Sequence, residues 1–303
     1  MSMHDIVIIG AGPAGLTAAL YARRAEKTVL LLEKGGFGGQ ITYSPKIENY
    51  PGFPSISGND LAEKLVEQVL EQNVDFEMTL VTGIEKTGNT FTVHTEDGDF
   101  DGKSVIIATG AKHRTLGLDG EEDIESISYC AVCDGAFYKG KNVAVIGGGN
   151  SAMQEALLLA DGCAHVTMFQ NLAFLTGEAK LAERIANKSN IDVIYSTVVT
   201  SVMTEDGDLT ALNVKNTETG DESTVTVDGM FVCIGLCPDN GAFADVVALD
   251  EFGYVDAGET CTTSKDGIFA AGDCRTKAIR QITTATGDGA TAALAAIRYI
   301  DSL

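Results

Sequence analysis

The chain has 303 residues, about two domains of average length, and 45% of them are hydrophobic while 21% are charged. This composition excludes a largely disordered chain. The 43 acidic residues outnumber the 21 basic ones and give a formal net charge of −22, which argues against nucleic acid or an anionic membrane surface as a partner.

The N-terminal region runs directly into a strand-like segment, without a basic stretch and an apolar core before a cleavage site, so we expect no secretory signal. Apolar runs stay far below the ~18 residues that a membrane span requires. The seven cysteines, an odd number, do not indicate a disulfide framework. We therefore expect a cytoplasmic protein, in which a closely spaced cysteine pair is typical of catalysis or metal binding.

The first predicted elements form a βαβ unit. Four apolar residues at 6–9 indicate a buried parallel strand, the turn at 10–15 reads GAGPAG, and an Ala-rich helix and a strand at 28–32 follow. Glycines in such a turn let a pyrophosphate approach the N–H groups at a helix N-terminus. Glu33, 23 residues after Gly10, stands where a carboxylate would bind ribose hydroxyls. The pattern predicts a dinucleotide site.

A second unit of the same build follows later in the chain. Its predicted elements are a strand at 142–146, a GxGxxA turn at Gly147, Gly149 and Ala152, a helix over 153–160 and a strand over 165–169. Gln170 is the counterpart of Glu33, so the two units share their spacing but differ at the residue that would contact the ribose. We expect a second dinucleotide-binding domain.

The remaining patterns suggest how the two domains are connected. Strands are predicted at 105–111 and 230–238, each after an Asp-Gly turn, with a third strand at 267–273, a closing helix over 287–300, and β-meanders at 76–100 and 191–227 with glycine turns at 88, 98, 207 and 220. We expect an α/β fold of two Rossmann-like (three-layer ββα) domains, one inserted in the other. The outer domain would contain 1–113 and 242–303, the inserted one 114–241, and the linkers would lie near 112–116 and 240–243.

A cysteine pair in the segment YCAVCDG provides the candidate chemistry. Cys130 and Cys133 are spaced to close a small ring disulfide, which adds little stability and is readily exchanged. Asp134 follows directly and could donate or accept the proton that thiol–disulfide exchange moves. A zinc site would need two more ligands, which the scattered histidines do not provide, so no metal is expected. The other cysteines are interpreted as buried apolar residues, with Cys233 and Cys237 as an alternative second redox pair.

Two dinucleotide sites and a CxxC pair in one chain indicate an electron relay, in which one dinucleotide delivers electrons, a flavin holds them and the disulfide receives them. Over essentially its whole length, the chain resembles the low-molecular-weight thioredoxin reductases. The motifs that carry the resemblance are GAGPAG (10–15), GGQ (38–40), ENYPGFP (48–54), ATGA (108–111), CAVCDG (130–135), GGGNSAMQEA (147–156), FAAGDC (269–274) and RQI (280–282). The resemblance implies FAD in the first domain, a pyridine nucleotide in the second, a homodimer, and a domain rotation that presents the CxxC pair alternately to flavin and to thioredoxin.

The resemblance also implies residue roles. At the adenine end, the FAD pyrophosphate would be held by Gly10, Gly12, Pro13, Ala14 and Gly15, and the ribose by Glu33. At the flavin end, Gln40 and Asn49 would lie near the flavin, and the isoalloxazine would be covered by Arg280, Gln281 and Ile282. Asp273 would bind the ribityl or phosphate region, and FAD would also be held by Ala108, Thr109, Gly110 and Gly272. The nicotinamide nucleotide would meet Gly147, Gly149, Asn150, Ser151, Ala152 and Gln170. Cys133 would be the thiol that meets the flavin, Cys130 would attack thioredoxin, and Asp134 would be the acid or base.

The sequence departs from the family at one place. NADPH-dependent members carry His-Arg-Arg and a further Arg four residues beyond, whereas this chain has Gln170, Asn171, Leu172 and Thr176. No guanidinium remains there to pair with a 2′-phosphate, so NADH is favoured over NADPH. The region is similar to the NADH-using flavoprotein of alkyl hydroperoxide reductase. It is also similar to the ferredoxin-dependent flavin thioredoxin reductases, which do not use a nicotinamide.

Four functions therefore stay open from the sequence. The leading one is reduction of a protein disulfide, with thioredoxin as the favoured partner, through FAD and the CxxC pair. A second is an electron-transfer protein that docks an iron–sulfur protein such as ferredoxin and uses the second domain as a platform. A third is the reductase of a peroxiredoxin system, which would need a separate carrier protein. The fourth is a flavin-binding redox sensor without turnover, which the position of Asp134 makes less attractive.

Overall fold

The computed structural model describes residues 3–44 and 47–303. The chain forms two compact units, the first containing 1–112 and 237–303 and the second containing 113–236. The second unit is thus an insertion in the first. The chain returns to the first unit between 236 and 237, earlier than the predicted 241/242, because Asn240 belongs to the first unit. Its buried side chain donates from Nδ2 to the carbonyls of Gly253 (2.9 Å) and Cys274 (2.8 Å).

One sheet forms the centre of the first unit, with strand order β3-β2-β1-β6-β5-β4 and with β17 paired to β6. Its strands are β1 (His4–Ile9), β2 (Val29–Glu33), β3 (Asp75–Met78), β4 (Val81–Thr87), β5 (Thr90–Thr95), β6 (Gly98–Ile107) and β17 (Ile268–Ala270). Strands β1, β2, β3, β6 and β17 pair in parallel, and β4 and β5 extend the sheet in antiparallel fashion.

The central strand β1 of this sheet is buried on both faces. The helices of the first unit are α1 (Pro13–Arg24), α2 (Gly58–Leu70) and α6 (Ile282–Asp301). Ile6 and Ile8 of β1 pack in a core with α1 and α6, while Val7 and Ile9 pack on the other face in a core with residues of β4 and β5. Because both faces are covered, β1 is a continuous apolar run and not an alternating one.

The second unit has a five-stranded parallel sheet in the order β11-β10-β9-β15-β8 and a separate antiparallel sheet β12-β13-β14. Its strands are β8 (Ile127–Ser128), β9 (Asn142–Ile146), β10 (His165–Phe169), β11 (Ile191–Ile194), β12 (Thr197–Glu205), β13 (Asp208–Asn216), β14 (Glu222–Thr226) and β15 (Gly229–Val232), and its helices are α3 (Ala131–Asp134), α4 (Asn150–Leu159) and α5 (Ala179–Ala186). Val143 and Val145 pack with α4 and α5, and Ala144 and Ile146 pack with β12 and β13. Two short strands, β7 (Ala111–His113) and β16 (Leu236–Pro238), pair where the chain passes between the units.

The predicted meanders are wrong at their first strands. β3 and β11 pair in parallel with β2 and β10, so each is the edge strand of its sheet. The β3 sequence DFEM alternates polar and apolar residues as a meander strand does, and at the edge of the sheet all four of these residues are exposed. The Asp-Gly pair at 101–102 is not a turn either, because it lies inside the ten-residue strand β6, where a Cβ on Gly102 would lie 2.8 Å from Cγ2 of Val7.

Two helices begin earlier than predicted. α6 begins at Ile282 and not at 287, because Thr284 Oγ1 accepts a hydrogen bond from the backbone N of Gln281 and so starts the helix within a Thr-rich stretch of low helix propensity. α4 begins at Asn150 and not at 153. In both places the early residues favour caps and turns in isolation.

Candidate active site

The first glycine turn has the geometry of a pyrophosphate site. Gly10 has φ 107°, and a Cβ there would collide with the carbonyl O of Ala108, while a Cβ on Gly15 would collide with the carbonyl O of Gly10. Gly12 is different: the nearest atom to its Cβ position is 4.0 Å away. α1 begins at Pro13 with no side-chain cap and no acidic residue in its first turn. Its N–H groups are therefore available to an anion.

The predicted ribose ligand Glu33 holds the loop around this turn. Oε2 accepts from the backbone N of Ala11 at 2.7 Å, and Oε1 accepts from the backbone N of Gly35 at 2.8 Å. Each carboxylate oxygen has a second lone pair, so these bonds orient Glu33 without using up its accepting capacity. Ala14 packs against Gly272, where a Cβ would lie 2.8 Å from that of Ala14.

The predicted flavin-side residues lie on several elements of the first unit. Asn49 Nδ2 donates to Gln281 Oε1 at 3.2 Å, so two of them meet directly. Gln40 is exposed in the 3-10 turn Gly39–Tyr43, and Ile282 is the first residue of α6. The Arg280 guanidinium lies 4.2 Å from the ring centroid of Tyr254, a cation–π contact that fixes its direction.

Asp273 provides an unpartnered acceptor in the same unit. It lies in the short turn Gly272–Cys274, and its Oδ1 is buried without a hydrogen-bond partner among the described residues. Burial raises the pKa of this carboxyl, and the nearby Lys277 and Arg280 oppose that rise. Close by, Thr109 donates to Oδ1 of Asn240 at 2.9 Å, and Gly110 follows with φ 70°.

The second glycine turn is tightly covered by its own unit. Gly147 has φ 125°, and a Cβ there would lie 2.5 Å from the carbonyl O of Cys233. Gly149 caps α4 without a side-chain cap, and Ser151 and Ala152 lie in the first turn of that helix, Ser151 exposed and Ala152 buried.

The segment that follows β10 packs onto the start of α4. Asn150 Oδ1 accepts from the backbone N of Glu178 at 2.7 Å, and a Cβ on Gly177 would lie 2.8 Å from the backbone N of Asn150. The Glu178 side chain also accepts from Asn150 Nδ2, at 3.3 Å. The N-terminus of α4 therefore has a carboxylate of its own unit beside it.

Gln170 points into the protein. Only 4% of its surface is exposed, its Nε2 donates to the carbonyl of Phe174 at 3.0 Å, and a Cβ on Gly148 would lie 2.5 Å from its Cδ. Asn171, Leu172 and Thr176 are exposed, and none carries a charge.

The two cysteines of the CxxC motif form a disulfide in the structure. Cys130 and Cys133 are bonded, with their Cα atoms 5.3 Å apart, and the short helix α3 begins between them. The backbone N of Cys133 donates to Sγ of Cys130 at 3.2 Å. Both cysteines are half-buried, while Val132 between them is 54% exposed, so the ring is reachable from solvent.

Asp134 lies beside this disulfide with one oxygen satisfied. Its Oδ2 accepts from Ser128 Oγ at 2.6 Å, and Oδ1 is buried without a partner among the described residues. Burial raises the pKa of Asp134, and the Ser128 hydrogen bond only partly offsets that rise. A carboxyl of this kind can hold a proton at a pH where a solvated Asp cannot.

Comparison with known proteins identifies the family. The sequence pattern described as pyridine nucleotide-disulphide oxidoreductase matches residues 4–289. The chain belongs to this family. A thioredoxin reductase of Listeria innocua is 39% identical over 303 residues, covering 99% of this chain and 95% of that protein. The crystal structure of thioredoxin reductase from Streptococcus pyogenes MGAS5005 matches with a TM-score of 0.94 and 40% identity, covering 99% of each chain. A Clostridium pasteurianum protein described as the 34.2 kDa protein in the rubredoxin operon is 39% identical over 98% of this chain and 97% of its own length.

The predicted resemblance to thioredoxin reductases and the predicted α/β class are thereby confirmed. Pyridine nucleotide-disulphide oxidoreductases use a flavin, and the first unit of this oxidoreductase fits one. The open approach at Gly12 suits a pyrophosphate, and the unpartnered Oδ1 of Asp273 suits a hydroxyl donor. Along 3–44 and 47–303 no group of three His, Cys, Asp or Glu side chains could hold a metal, and no helix is long and apolar enough to cross a membrane.

The sequence reasoning missed a buried ion cluster next to Asp273. Asp288 of α6 accepts from Arg275 through both oxygens, at 2.9 and 2.8 Å, and from Lys277 at 2.8 Å. Its Oδ2 also accepts from the backbone N of Gly272 at 3.0 Å. The cluster ties the Asp273 turn to α6. The GDG sequence at 287–289 was a signal, because Gly289 lets α6 approach α1 closely enough that a Cβ there would overlap the carbonyl of Ala14.

Proposed function

We propose that this oxidoreductase is a FAD-dependent thioredoxin-disulfide reductase, in which electrons pass from a donor through FAD to the Cys130–Cys133 disulfide and on to thioredoxin. The observation that carries the proposal is a solvent-reachable disulfide with a half-buried carboxyl beside it. The names of the Listeria and Streptococcus relatives support thioredoxin as the substrate. Homodimer formation and a cytoplasmic location are further parts of the proposal, and five cysteines that stay free suit a reducing compartment.

The first unit would hold FAD through the residues described above. The N-terminus of α1 would bind the pyrophosphate, Glu33 would accept from the ribose hydroxyls, and Asp273 would accept from a further hydroxyl. Arg280 and Gln281 would contact the flavin. When bound, FAD supplies two-electron chemistry between a donor and a disulfide.

Thiol–disulfide exchange then needs only groups of this chain and its substrate. The Cys130 thiolate attacks one sulfur of the thioredoxin disulfide and forms a mixed disulfide, while the other thioredoxin sulfur leaves and takes up a proton. Cys133 attacks Cys130 Sγ, releases dithiol thioredoxin and restores the Cys130–Cys133 disulfide. Asp134 would supply the proton that the leaving sulfur takes up, because burial raises the pKa of this carboxyl and so favours its protonated form relative to a solvated Asp.

For the electron donor, NADH is the first candidate. The glycine turn at 147–152 is intact and at a helix N-terminus, which supports a dinucleotide site. The exposed residues 171, 172 and 176 offer no cation to a 2′-phosphate, which argues against NADPH.

A ferredoxin-type iron–sulfur protein is the second candidate. The Gln170 amide donates within its own loop and is buried, so it is not free to bind a ribose diol. Glu178 places a carboxylate beside the start of α4, where a phosphate would have to bind. The Clostridium pasteurianum relative is described as a protein in a rubredoxin operon, and this description also supports an iron protein as the electron donor.

The donor experiment uses the purified full chain with its flavin spectrum confirmed. The protein is mixed anaerobically with NADH, with NADPH and with a reduced ferredoxin, and loss of flavin absorbance is followed before oxidised thioredoxin is added. Bleaching by NADH alone supports the first candidate, and bleaching by ferredoxin alone supports the second. A protein that is bleached but forms no thioredoxin thiols is not a thioredoxin reductase.

A further inference from the structure

Glu155 is a carboxyl near the disulfide that the proposed exchange steps do not use. It lies on α4 of the second unit, and its half-buried side chain reaches the reactive turn. Oε2 accepts from the backbone N of Ala131 at 3.0 Å, and the same oxygen accepts from Sγ of Cys233 at 3.1 Å. One oxygen therefore joins three elements: the CxxC turn, α4 and the end of β15.

The hydrogen bond between Ala131 and Glu155 lies next to the reactive Cys130. Ala131 follows Cys130 directly and is the first residue of α3, the turn that brings Cys133 back onto Cys130. Ala131 is 3% exposed, so its N–H has no access to bulk water and depends on Glu155 for an acceptor. The carboxyl thus fixes the start of the turn from the helix behind it.

Two titratable groups act on Glu155 within the second unit. Cys233 donates its thiol proton to the carboxyl, and the Glu155 charge adds to burial in raising the pKa of that thiol, so Cys233 stays protonated. Burial raises the pKa of Glu155 itself, the hydrogen bonds from Ala131 and Cys233 oppose the rise, and the charge of Asp134 adds to it. The reactive turn therefore has two acids, on α3 and on α4, that influence each other.

We propose that Glu155 is a positioning residue of the redox centre, which holds the start of the CxxC turn and places a second acidic charge behind it. A negative charge near a cysteine disfavours its thiolate, so the charged Glu155 keeps the reduced pair from ionising too easily and keeps the dithiol a strong reductant. The inference rests on the proposed function of the disulfide, because a centre that never exchanged would need no tuning.

The test compares Glu155→Gln, which keeps the shape and removes the charge, with Glu155→Asp, which keeps the charge. Glu183→Gln is the matched control, since Glu183 is an exposed carboxylate on α5. Cys233→Ala removes the thiol and leaves the Ala131 contact. Each FAD-loaded full-length protein is reduced with dithiothreitol and treated with iodoacetamide across pH. The Cys130 and Cys133 peptides are resolved by mass spectrometry, because the exposed Cys237 reacts as well.

We expect Glu155→Gln to lower the pH midpoint of Cys130/Cys133 alkylation by about one unit, a tenfold change in proton affinity. At a pH above the wild-type midpoint, its dithiol–disulfide equilibrium with glutathione should move about tenfold toward the dithiol, because a more stable thiolate makes a weaker reductant. Glu155→Asp, Cys233→Ala and Glu183→Gln should keep the wild-type midpoint. Wild-type midpoint and equilibrium in Glu155→Gln, or a Glu155→Asp variant that shifts as far as the Gln variant, would overturn the inference.

Failure of this inference differs from failure of the proposed function. The alkylation midpoint and the glutathione equilibrium involve neither thioredoxin nor an electron donor. If the wild-type protein reduces thioredoxin and Glu155→Gln has the wild-type midpoint and equilibrium, only the proposed role of Glu155 is wrong. A wild-type protein that does not reduce thioredoxin removes the proposed function, whatever the midpoints are.

Discussion

Ser128 donates a 2.6 Å hydrogen bond to one oxygen of Asp134, and the other oxygen of that carboxyl is buried without a partner among the described residues. The pKa of Asp134 is thus set by burial, which raises it, against one hydrogen bond, which lowers it. Because the folded-state pKa lies above the unfolded value, the stability that the protonated form contributes is present at low pH. That contribution is lost as pH rises through the folded-state pKa.

Ser128→Ala should therefore move the pH profile of thioredoxin reduction upward. The variant loses the Ser128 hydrogen bond to the ionised Asp134 carboxylate, which costs about 1.5 kcal/mol. This corresponds to a rise of about one unit in the pKa of Asp134. Single-turnover reduction of thioredoxin by the pre-reduced protein, measured across pH, gives the profile. Ser128→Thr keeps the hydroxyl and should leave the profile in place. An Ala profile that coincides with the wild-type one contradicts the role of Asp134 as the proton carrier.

Cys133→Ser should stop the exchange at the mixed disulfide between Cys130 and thioredoxin. Cys130 can still attack thioredoxin, but no second thiol resolves the mixed disulfide, so turnover should fall by about 10³-fold or more, as for loss of a catalytic nucleophile. Non-reducing electrophoresis after addition of oxidised thioredoxin should show one covalent complex per chain. Cys237→Ser, which removes an exposed free thiol, serves as control and should keep wild-type turnover. Full turnover in Cys133→Ser would remove the dithiol mechanism.

Much of the fold followed from the sequence because its strongest signals are local. The apolar run at 6–9 and the glycine turn after it each require a fixed backbone, and both elements are found where the pattern puts them. The edge strands β3 and β11 were misjudged because their partners lie more than 40 and about 25 residues away and leave no local mark. The start of α6 depends on one hydrogen bond between Gln281 and Thr284, which helix propensity alone does not reveal.

The candidate site was predictable where its residues are neighbours in sequence and not where they meet only in the fold. Motif spacing identified the cysteines and the glycine turns, since their chemistry depends on neighbours in sequence. Asp288 and Glu155 were missed because each acts across the fold, on Arg275 and on Ala131, from the face of a helix that reads as ordinary packing. Gln170 was predicted as a ribose contact, and that role stays a proposal that its buried amide argues against.

Asn171→Arg with Leu172→Arg tests whether the missing cations alone determine nucleotide choice. Both positions are exposed, so stability should change by less than about 0.5 kcal/mol. If a nicotinamide site operates, the rate of flavin reduction by NADPH should rise about tenfold, because an Arg–phosphate pair contributes about 1.5 kcal/mol or more. Reduction by NADH should stay the same. No gain with NADPH, together with no reduction by NADH, points to the ferredoxin-type donor.

Asp273→Ala should weaken FAD binding without lowering the thermal stability of the flavin-free protein. In the flavin-free protein the buried Oδ1, which has no partner along 3–44 and 47–303, destabilises the fold, so its removal should leave the melting temperature equal or higher. With FAD present, the lost acceptor should weaken binding about tenfold, equivalent to one hydrogen bond to a charged group. Flavin fluorescence release gives the affinity. Asp266→Ala, at an exposed position, should change neither quantity. Unchanged FAD affinity in Asp273→Ala would contradict a contact between this oxygen and FAD.

Asp288→Asn should cause the largest loss of stability of these substitutions. Arg275 and Lys277 have side chains only 1% and 4% exposed and share the Asp288 carboxylate, so neutralising it removes this counter-charge from both cations and leaves Arg275 with the exposed Glu259, 3.5 Å away. Breaking a buried pair in this way costs about 3–5 kcal/mol. Asp301→Asn is the contrasting control, because Asp301 pairs with Lys27 at the surface, where such a pair contributes about 0–1 kcal/mol. Urea denaturation at pH 7 measures both.

The pH dependence of Asp288→Asn supplies a second, independent readout. Burial raises the pKa of Asp288, but hydrogen bonds from Arg275 and Lys277 outweigh it, so the pKa is lowered in the folded protein. The stability from this carboxylate is therefore present above the ordinary Asp pKa of about 4 and is lost as pH falls through the lower folded-state value. Wild type should lose stability over that range, while the Asn variant should lose less. Parallel stability curves for the two proteins below pH 4 would mean that the cluster is not charged as described.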